Sequence, residues 1–160
     1  MTPDFQTPAD TLRPPPIRVP PFHAVPGRAR ADGWTPLRQA EFIGELAETG
    51  SVAEAARRLG MARETAYRLR RRKWSAGFCA AWDAALGRKL TIPDKRTRPS
   101  RKVTLDELRW RVESGLWCVI LRRGRYRGVR RKVDETALLT LCGRLGIAPS
   151  RIDFYGKAAR

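Results

Sequence analysis

The sequence predicts a mainly α protein with a small β-hairpin: a tri-helical domain with a supporting helix, then a small helix-hairpin-helix α+β module. Three observations favour this fold class. Apolar residues recur at helical spacing between residues 34 and 90. Ser/Thr-x-x-Glu capping boxes begin at Ser51 and Thr104 and mark helix starts. The stretch 116–133 alternates around a central Arg-Gly, which is typical of a β-hairpin.

The net charge of the chain favours a polyanionic partner. Its 33 Lys and Arg residues outnumber 16 Asp and Glu residues, which gives a formal net charge of +17. Such a field attracts polyanions, and nucleic acid is the usual one. A basic ribosomal protein or a protein of a membrane surface would show the same excess, and high genomic GC content also enriches arginine. Charge alone therefore leaves the partner open.

The sequence disfavours several classes of function. The three cysteines, Cys79, Cys118 and Cys142, form no CxxC pair, and the single histidine is His23. Without a His/Cys cluster we expect no metal site and no cofactor. The sequence also contains no phosphate loop and no nucleophile elbow. We therefore expect no enzymatic activity, no catalytic residues and no small-molecule ligand.

The pattern of apolar residues bears on localisation. No apolar run approaches membrane-spanning length, and residues 1–16 lack the core of a signal peptide. Three widely spaced thiols suit a reducing compartment. We therefore expect a cytoplasmic, nucleoid-associated protein without a membrane partner.

Three segments have the composition of unstructured chain. Residues 1–33 hold eight of the twelve prolines. Because proline removes a donor and blocks helices, we expect a disordered Pro-rich arm, either solvated or in contact with a partner. Residues 91–102 hold five positive charges, one negative charge and two prolines, and we interpret them as a basic linker. Residues 149–160 are expected to form a tail.

Four helices are expected within the predicted domain 34–90. The first two each begin with a hydroxyl cap and end at a glycine, which tolerates a left-handed conformation. The residues that mark these limits are Thr35, Gly50, Ser51 and Gly60. The third and fourth helices are expected at about 62–72 and 76–90.

The second and third helices meet the narrow demands of a helix-turn-helix unit. Ala56 provides a small side chain where the two helices must cross closely, four residues before the turn glycine, Gly60. After the turn, Ala66 and Leu69 share the inward face. The third helix, 62–72, is then expected to enter the major groove of DNA.

The outward face of this third helix carries the candidate DNA contacts. Glu64, Tyr67, Arg68 and Arg71 point away from the inward residues and are predicted to face base edges, while flanking arginines contact phosphates. The predicted DNA-binding residues of this unit are Ser51, Arg63, Glu64, Thr65, Tyr67, Arg68, Arg70, Arg71, Arg72 and Lys73. The alternative is a structural helical hairpin with a solvated basic face.

A longer pattern runs through residues 34–86. Its elements are Phe42, Leu46–Gly50, Ala55-Ala56, Gly60, Thr65–Arg68, Trp74, Phe78, Ala81-Trp82 and Ala84–Leu86. The pattern resembles a bacterial and phage helix-turn-helix family that includes homeodomain-like DNA-binding proteins and phage terminase small subunits. The resemblance implies a tri-helical DNA-binding fold with a supporting fourth helix. Members usually carry an acidic residue or proline after the recognition helix, whereas the stretch 70–73 is fully basic here, which raises the phosphate-driven share of binding.

The module 103–148 is expected to contain a helix, a hairpin and a second helix. The hairpin turns near Arg123-Gly124, and Asp134 caps the last helix. The predicted DNA contacts of the hairpin are Arg123, Arg125, Arg127 and Arg130. The alternatives are a solvated ribbon packed by its apolar face and a dimerisation module. Tyr126 is a further candidate, because a tyrosine in the turn could stack on a base.

These patterns predict a protein that binds double-stranded DNA, most simply a transcriptional regulator that docks helix 62–72 in the major groove. The hairpin 116–133 is a candidate second contact. The alternatives are a binder of the terminase-small-subunit or architectural type, and an RNA- or ribosome-associated basic protein. A regulator would be a monomer or a homodimer, whereas a terminase role would favour a ring. The target sequence and the direction of regulation stay open.

Overall fold

The structure is a computed structural model that describes residues 17–27, 30, 32–88 and 102–148. Within these residues, six helices accompany a three-stranded antiparallel sheet, which confirms a mainly α fold with a small β-hairpin. The elements in chain order are β1 (Phe22–His23), α1 (Pro36–Thr49), α2 (Val52–Arg58), α3 (Arg63–Arg70), α4 (Ala76–Ala85), α5 (Leu105–Ser114), β2 (Leu116–Arg122), β3 (Arg125–Lys132) and α6 (Glu135–Leu145).

The helices begin where their capping residues predict. The hydroxyls of Thr35, Ser51 and Thr104 each accept a hydrogen bond from the backbone N–H three residues later. Each bond satisfies a donor that has no partner inside the helix. The carboxylate of Asp134 does the same for α6. Helix α3 has no side-chain cap, because Ala62 precedes it.

Two helices end earlier than their periodicity predicts. Helix α3 stops at Arg70, because the chain must reverse before α4 begins, and Trp74 takes a left-handed φ of 62° in that reversal. Helix α4 stops at Ala85, and Gly87 follows with a φ of 69°. A glycine tolerates this conformation, which no continuing helix contains.

Helix α1 forms the centre of the core. Phe42, Ile43 and Leu46 are fully buried, and α1 packs against α2, α4 and the sheet. The ring centroid of Phe42 lies 5.0 Å from that of Trp82 and 5.3 Å from that of Trp34. Aromatic pairs at such distances stabilise a core beyond the area that they bury. This aromatic cluster therefore joins α1, α4 and the chain before α1.

The sheet covers a further side of α1. Strand β2 lies between β1 and β3 and is antiparallel to both. Arg123 and Gly124 connect β2 to β3 with φ values of 53° and 75°. Two left-handed residues suit the right-handed twist of a tight hairpin, so the turn predicted at this position is confirmed. Val119, Leu121 and Val129 pack against the helical core.

Helices α5 and α6 pack against each other next to the amino-terminal segment. Leu108, Leu138 and Cys142 are buried on these helices. The indole Nε1 of Trp110 donates a hydrogen bond to the carbonyl of Ala24 at 2.6 Å. The carboxy-terminal module therefore contacts the helical region through both its sheet and α5.

The predicted disordered arm is wrong for residues 17–27. Phe22 and Val25 are 1% and 0% exposed and belong to the core. The side-chain amide of Gln39 accepts a hydrogen bond from the Val25 N–H at 2.7 Å and donates one to the Val25 carbonyl at 2.9 Å. Apolar residues between the prolines explain the difference, because each proline removes only its own donor and an extended segment can still pair.

The structure does not test the other predictions of disordered segments. The arm residues 1–16, the linker residues 91–101 and the tail 149–160 lie outside the described residues.

We expect Gly44→Ala to lower the free energy of unfolding by about 1–3 kcal/mol. A Cβ at Gly44 would lie 2.3 Å from two ring carbons of Tyr126, which α1 and the hairpin hold in place. Gly143→Ala is the matched control, since a Cβ there meets nothing within 4 Å and alanine favours helix by about 0.5–1 kcal/mol. Chemical denaturation measures both. Equal effects of the two changes would contradict the close contact, and the Gly44→Ala loss should shrink in a Tyr126→Ala background.

We expect Gln39→Met to destabilise the docking of the segment around Val25. The change preserves side-chain length but leaves the buried N–H and carbonyl of Val25 without partners, and each such group costs about 1–3 kcal/mol. The hydrogen-exchange rate of the Val25 amide should rise, and the free energy of unfolding should fall. Leu37→Met, at an exposed position of the same helix, serves as the control. Unchanged protection at Val25 would contradict the role of Gln39.

Candidate nucleic-acid interface

The turn between α2 and α3 sets the direction of α3. Gly60 takes a left-handed φ of 65°, a conformation that favours glycine. The N–H of Met61 donates to the carbonyl of Ala56 at 2.9 Å, which closes the end of α2. After the turn, Ala66 and Leu69 are buried at 0% and 1% exposure. One face of α3 is thus fixed against the core, and the opposite face is open.

The open face of α3 and of the chain just after it is strongly basic. Its exposed charged side chains are Arg63, Glu64, Arg68, Arg71, Arg72 and Lys73. The side chains of Arg68, Arg71 and Lys73 form no hydrogen bond and no ion pair with any residue of the described chain. Guanidinium and ammonium groups are donors only. These three side chains therefore present uncompensated donors and positive charge to an external anion.

Arg70 belongs to the interior contacts, which corrects its prediction as a phosphate contact. Its Nη2 lies 2.9 Å and 3.0 Å from the two carboxylate oxygens of Asp83, and its guanidinium lies 5.2 Å from the ring centroid of Trp82. Both partners are on α4. Arg70 therefore joins α3 to α4, and the sequence offered no local signal for a carboxylate thirteen residues away.

Thr65 also serves the fold, although it was predicted to contact DNA. Its hydroxyl accepts a hydrogen bond from the indole Nε1 of Trp34 at 3.0 Å and donates one to the carbonyl of Ala62 at 2.6 Å. The side chain is half-buried. Thr65 therefore fixes the start of α3 against the chain before α1.

Tyr67 and Ser51 keep some access to solvent. Tyr67 is 42% exposed, and its ring centroid lies 5.5 Å from that of Trp82. The contact with Trp82 limits the movement of the ring and leaves part of it on the open face. The hydroxyl of Ser51 accepts the N–H of Glu54 at 3.4 Å, and the residue is exposed.

The hairpin carries the second basic surface. Its exposed basic side chains without a hydrogen bond or ion pair in the described chain are Arg122, Arg123, Arg125, Arg127, Arg130 and Lys132. Arg131 differs, because its guanidinium donates to the carbonyls of Glu113 and Ser114 at the end of α5. All four predicted arginines of the hairpin are therefore exposed.

The tip of the hairpin is anchored to α1 through Glu48. The N–H of Tyr126 donates to the Glu48 carboxylate at 2.7 Å, and Arg58 of α2 lies 3.4 Å from the same group. These two interactions, the Tyr126 N–H first, hold the pKa of Glu48 below its ordinary value. One carboxylate thus connects the hairpin tip with α1 and α2.

The structure places the ring of Tyr126, the further candidate for base stacking, against α1. The ring lies against Gly44, and the residue is half-buried. Burial, together with the smaller effect of the Glu41 and Glu45 carboxylates, raises the pKa of the Tyr126 phenol to about 12. Tyr126 is therefore a packing residue of the hairpin.

Sequence reasoning missed the chain before α1 as a neighbour of α3. The Arg72 Nη1 donates to the carbonyl of Pro26 at 3.3 Å, and a cleft separates α3 from Arg30 and Asp32. The assignment of residues 1–33 to a disordered arm concealed this proximity. The buried apolar residues Phe22 and Val25 were the available signal for it.

Comparison with known proteins adds no relative. No protein-family model, no curated protein and no solved structure matches this chain. None of the helices that the structure describes is long and apolar enough to cross a membrane. In the same residues, no three His, Cys, Asp or Glu side chains are grouped so that they could hold a metal ion.

Proposed function

We propose that the protein binds double-stranded DNA and acts as a transcriptional regulator, with α2, the turn and α3 as a helix-turn-helix unit. The observation that carries this proposal is the contrast between the two faces of α3. Its inner residues Ala66 and Leu69 are buried. Arg68 on its outer face, and Arg71 and Lys73 just after the helix, have side chains with no hydrogen bond or ion pair in the described chain. Such a helix is fixed in orientation and presents uncompensated positive charge to a polyanion.

The dimensions of α3 suit the major groove of B-DNA. An α-helix with its side chains is about 10–12 Å across, and the groove is about 12 Å wide, so the eight residues of α3 fit within it. Arg68, Arg71 and Tyr67 are then the side chains available to base edges, and Glu64 is an acceptor for a cytosine amino group. Arg63, Arg72 and Lys73 lie at the two ends, where the phosphate backbones pass.

The hairpin is proposed as a second contact with the DNA backbone. Its arginines other than Arg131 are exposed and form no hydrogen bond or ion pair in the described chain. Glu48 connects the hairpin tip to Arg58 of α2. The neighbouring arginines of α2 differ, because Arg57 and Arg58 are paired with carboxylates at 2.6 Å and 2.7 Å. The uncompensated charge therefore lies on α3 and on the hairpin.

A packaging or architectural role is the second candidate, of the kind implied by a terminase small subunit. It is favoured by the hydrogen bond between Thr65 and Trp34, because this bond leaves cationic side chains as the main groups of the open face. Cationic side chains contact the phosphate backbone more often than base edges, so they contribute more to affinity than to sequence preference. Sequencing of the DNA fragments bound in cells separates the two roles. One strong motif supports a regulator, and uniform coverage supports an architectural protein. A ring in native mass measurement would favour the packaging role.

We expect Lys73→Ala to flatten the dependence of log K on log salt by about 0.9 for duplex DNA, because one phosphate contact releases about one counterion. Arg71→Ala should weaken binding about tenfold, as the loss of a charge-assisted hydrogen bond does. The matched control is Arg57→Ala on α2, which removes an exposed arginine that is already paired with Glu54. Fluorescence anisotropy at several salt concentrations measures all three variants.

A contrast with Arg70 makes this test specific. Arg70→Ala should lower the free energy of unfolding, since it breaks the contact with Asp83, and should leave the salt slope of the folded protein unchanged. Equal slopes for the Lys73, Arg57 and wild-type proteins, with unchanged affinity of the Arg71→Ala protein, would remove the carboxy-terminal end of α3 and the chain just after it from the DNA interface. Tighter binding to duplex RNA than to duplex DNA at equal salt would favour the RNA-associated alternative.

We expect the hairpin to contribute to the same salt dependence. Arg123→Asn removes a charge at a left-handed position that asparagine tolerates, and Arg130→Gln removes a second charge on β3. Together they should flatten the slope by up to about 1.8, at about 0.9 per contact. Arg109→Ala on α5, an exposed arginine beside Asp106, is the control. An unchanged slope would show that the hairpin stays off the DNA.

A further inference from the structure

A cleft of about 340 Å³ lies beside the open face of α3. The chain before α1 forms one wall with Arg30, Asp32 and Trp34, and α3 forms the other with Arg68, Leu69 and Arg72. The cleft is formed by two parts of the sequence that were predicted to be separate, the arm and the third helix.

The lining of the cleft combines an apolar part with a basic part. Trp34 is half-buried and Leu69 is 1% exposed, so the apolar part belongs to the core. Arg30, Arg68 and Arg72 are exposed and contribute three positive charges, against one negative charge from Asp32. A sugar-phosphate has the matching chemistry, because its ring packs on apolar surface and its phosphate accepts bonds from guanidinium groups.

Hydrogen bonds between the chain before α1 and the residues of α3 and just after it fix the position of one side of the cleft relative to the other. The indole Nε1 of Trp34 donates to Thr65 of α3 at 3.0 Å, and Arg72 donates to the carbonyl of Pro26 at 3.3 Å. That bond uses one of the five N–H donors of Arg72, and the others stay available to a ligand. A site that is already formed loses little conformational entropy on binding.

We propose that this cleft seats a sugar-phosphate unit of the DNA strand that borders α3. The inference rests on the proposed DNA binding by α3, and it adds a backbone contact from outside the helices. Arg30 is assigned to that phosphate together with Arg72. The chain before α1 and α3 then hold the DNA strand between them, which fixes the depth at which α3 lies in the groove.

Asp32 provides a test that loss of folding cannot imitate. Its carboxylate lines the cleft and repels a phosphate. Asp32→Asn should therefore tighten the binding of the full-length protein to a mixed-sequence DNA duplex, by about two- to fivefold for an exposed charge. Asp106→Asn is the matched control, because Asp106 is an exposed aspartate on α5, remote in sequence from the cleft.

Arg30→Ala tests the same cleft by loss of binding. The change should weaken duplex binding about three- to tenfold and flatten the salt slope by about 0.9, while Arg109→Ala leaves both unchanged. Thermal unfolding of each variant accompanies the binding measurement, since the cleft residues Arg30 and Asp32 are exposed and should not affect stability. Unchanged affinity and slope for both Arg30→Ala and Asp32→Asn would overturn the proposal.

Two further measurements are needed. The first distinguishes a DNA phosphate from a free phosphate as the ligand, and the second distinguishes failure of the cleft proposal from failure of DNA binding by α3. Calorimetric titration with inorganic phosphate and with deoxyadenosine monophosphate should give only weak binding. Tight binding of either, lost in Arg30→Ala while duplex binding persists, would make the cleft a small-molecule site and overturn the assignment to DNA. If Lys73→Ala and Arg71→Ala weaken duplex binding while the Arg30 and Asp32 variants do not, the cleft proposal alone fails. If no variant matters, DNA binding by α3 fails too.

Discussion

The structure depends on the docking of the short segment from Phe22 to Pro26. The Phe22 side chain fills the core beside Phe78, at a centroid distance of 5.9 Å, and Gln39 of α1 satisfies both backbone groups of Val25. The same segment accepts hydrogen bonds from Trp110 of α5 and from Arg72, just after α3. His23 of this segment also bonds to Asp134, the cap of α6. Because an extended strand has free donors and acceptors on both edges, five residues can join elements that are far apart in sequence. Both candidate DNA surfaces are attached to this common frame.

Those features of the fold that depend on neighbouring residues could be predicted from the sequence. Caps at Thr35, Ser51, Thr104 and Asp134, and the turn at Arg123-Gly124, follow from local chemistry and are confirmed. The inward direction of Ala66 and Leu69 follows from helical spacing, and the structure agrees. Periodicity could not locate the ends of α3 and α4, since the space for the reversal between them is set by tertiary packing.

The candidate site was less predictable, because a side chain's freedom depends on partners distant in the chain. Arg70 and Lys73 look alike in sequence, yet Asp83 binds the first and no described residue binds the second. In the same way, Thr65 forms a hydrogen bond with Trp34 and Tyr126 packs against Gly44, and both partners are distant in the sequence. The proline content of the amino-terminal segment predicts disorder, although its apolar residues Phe22, Ala24 and Val25 are buried in the core. Net charge therefore overstates the number of groups that are free to contact an anion.

The bridge made by Glu48 has a consequence for how the two basic surfaces would work together. Its carboxylate accepts a hydrogen bond from the Tyr126 N–H at the tip of the hairpin and from Arg58 of α2, and the Tyr126 ring packs against Gly44 of α1. These contacts connect the hairpin to α1 and α2, and α2 continues through the Gly60 turn into α3, so they oppose changes in the separation between the hairpin and α3. A duplex that engages both surfaces must offer its backbone at that distance, by its own curvature or by bending. The protein would then select duplexes by stiffness as well as by base sequence.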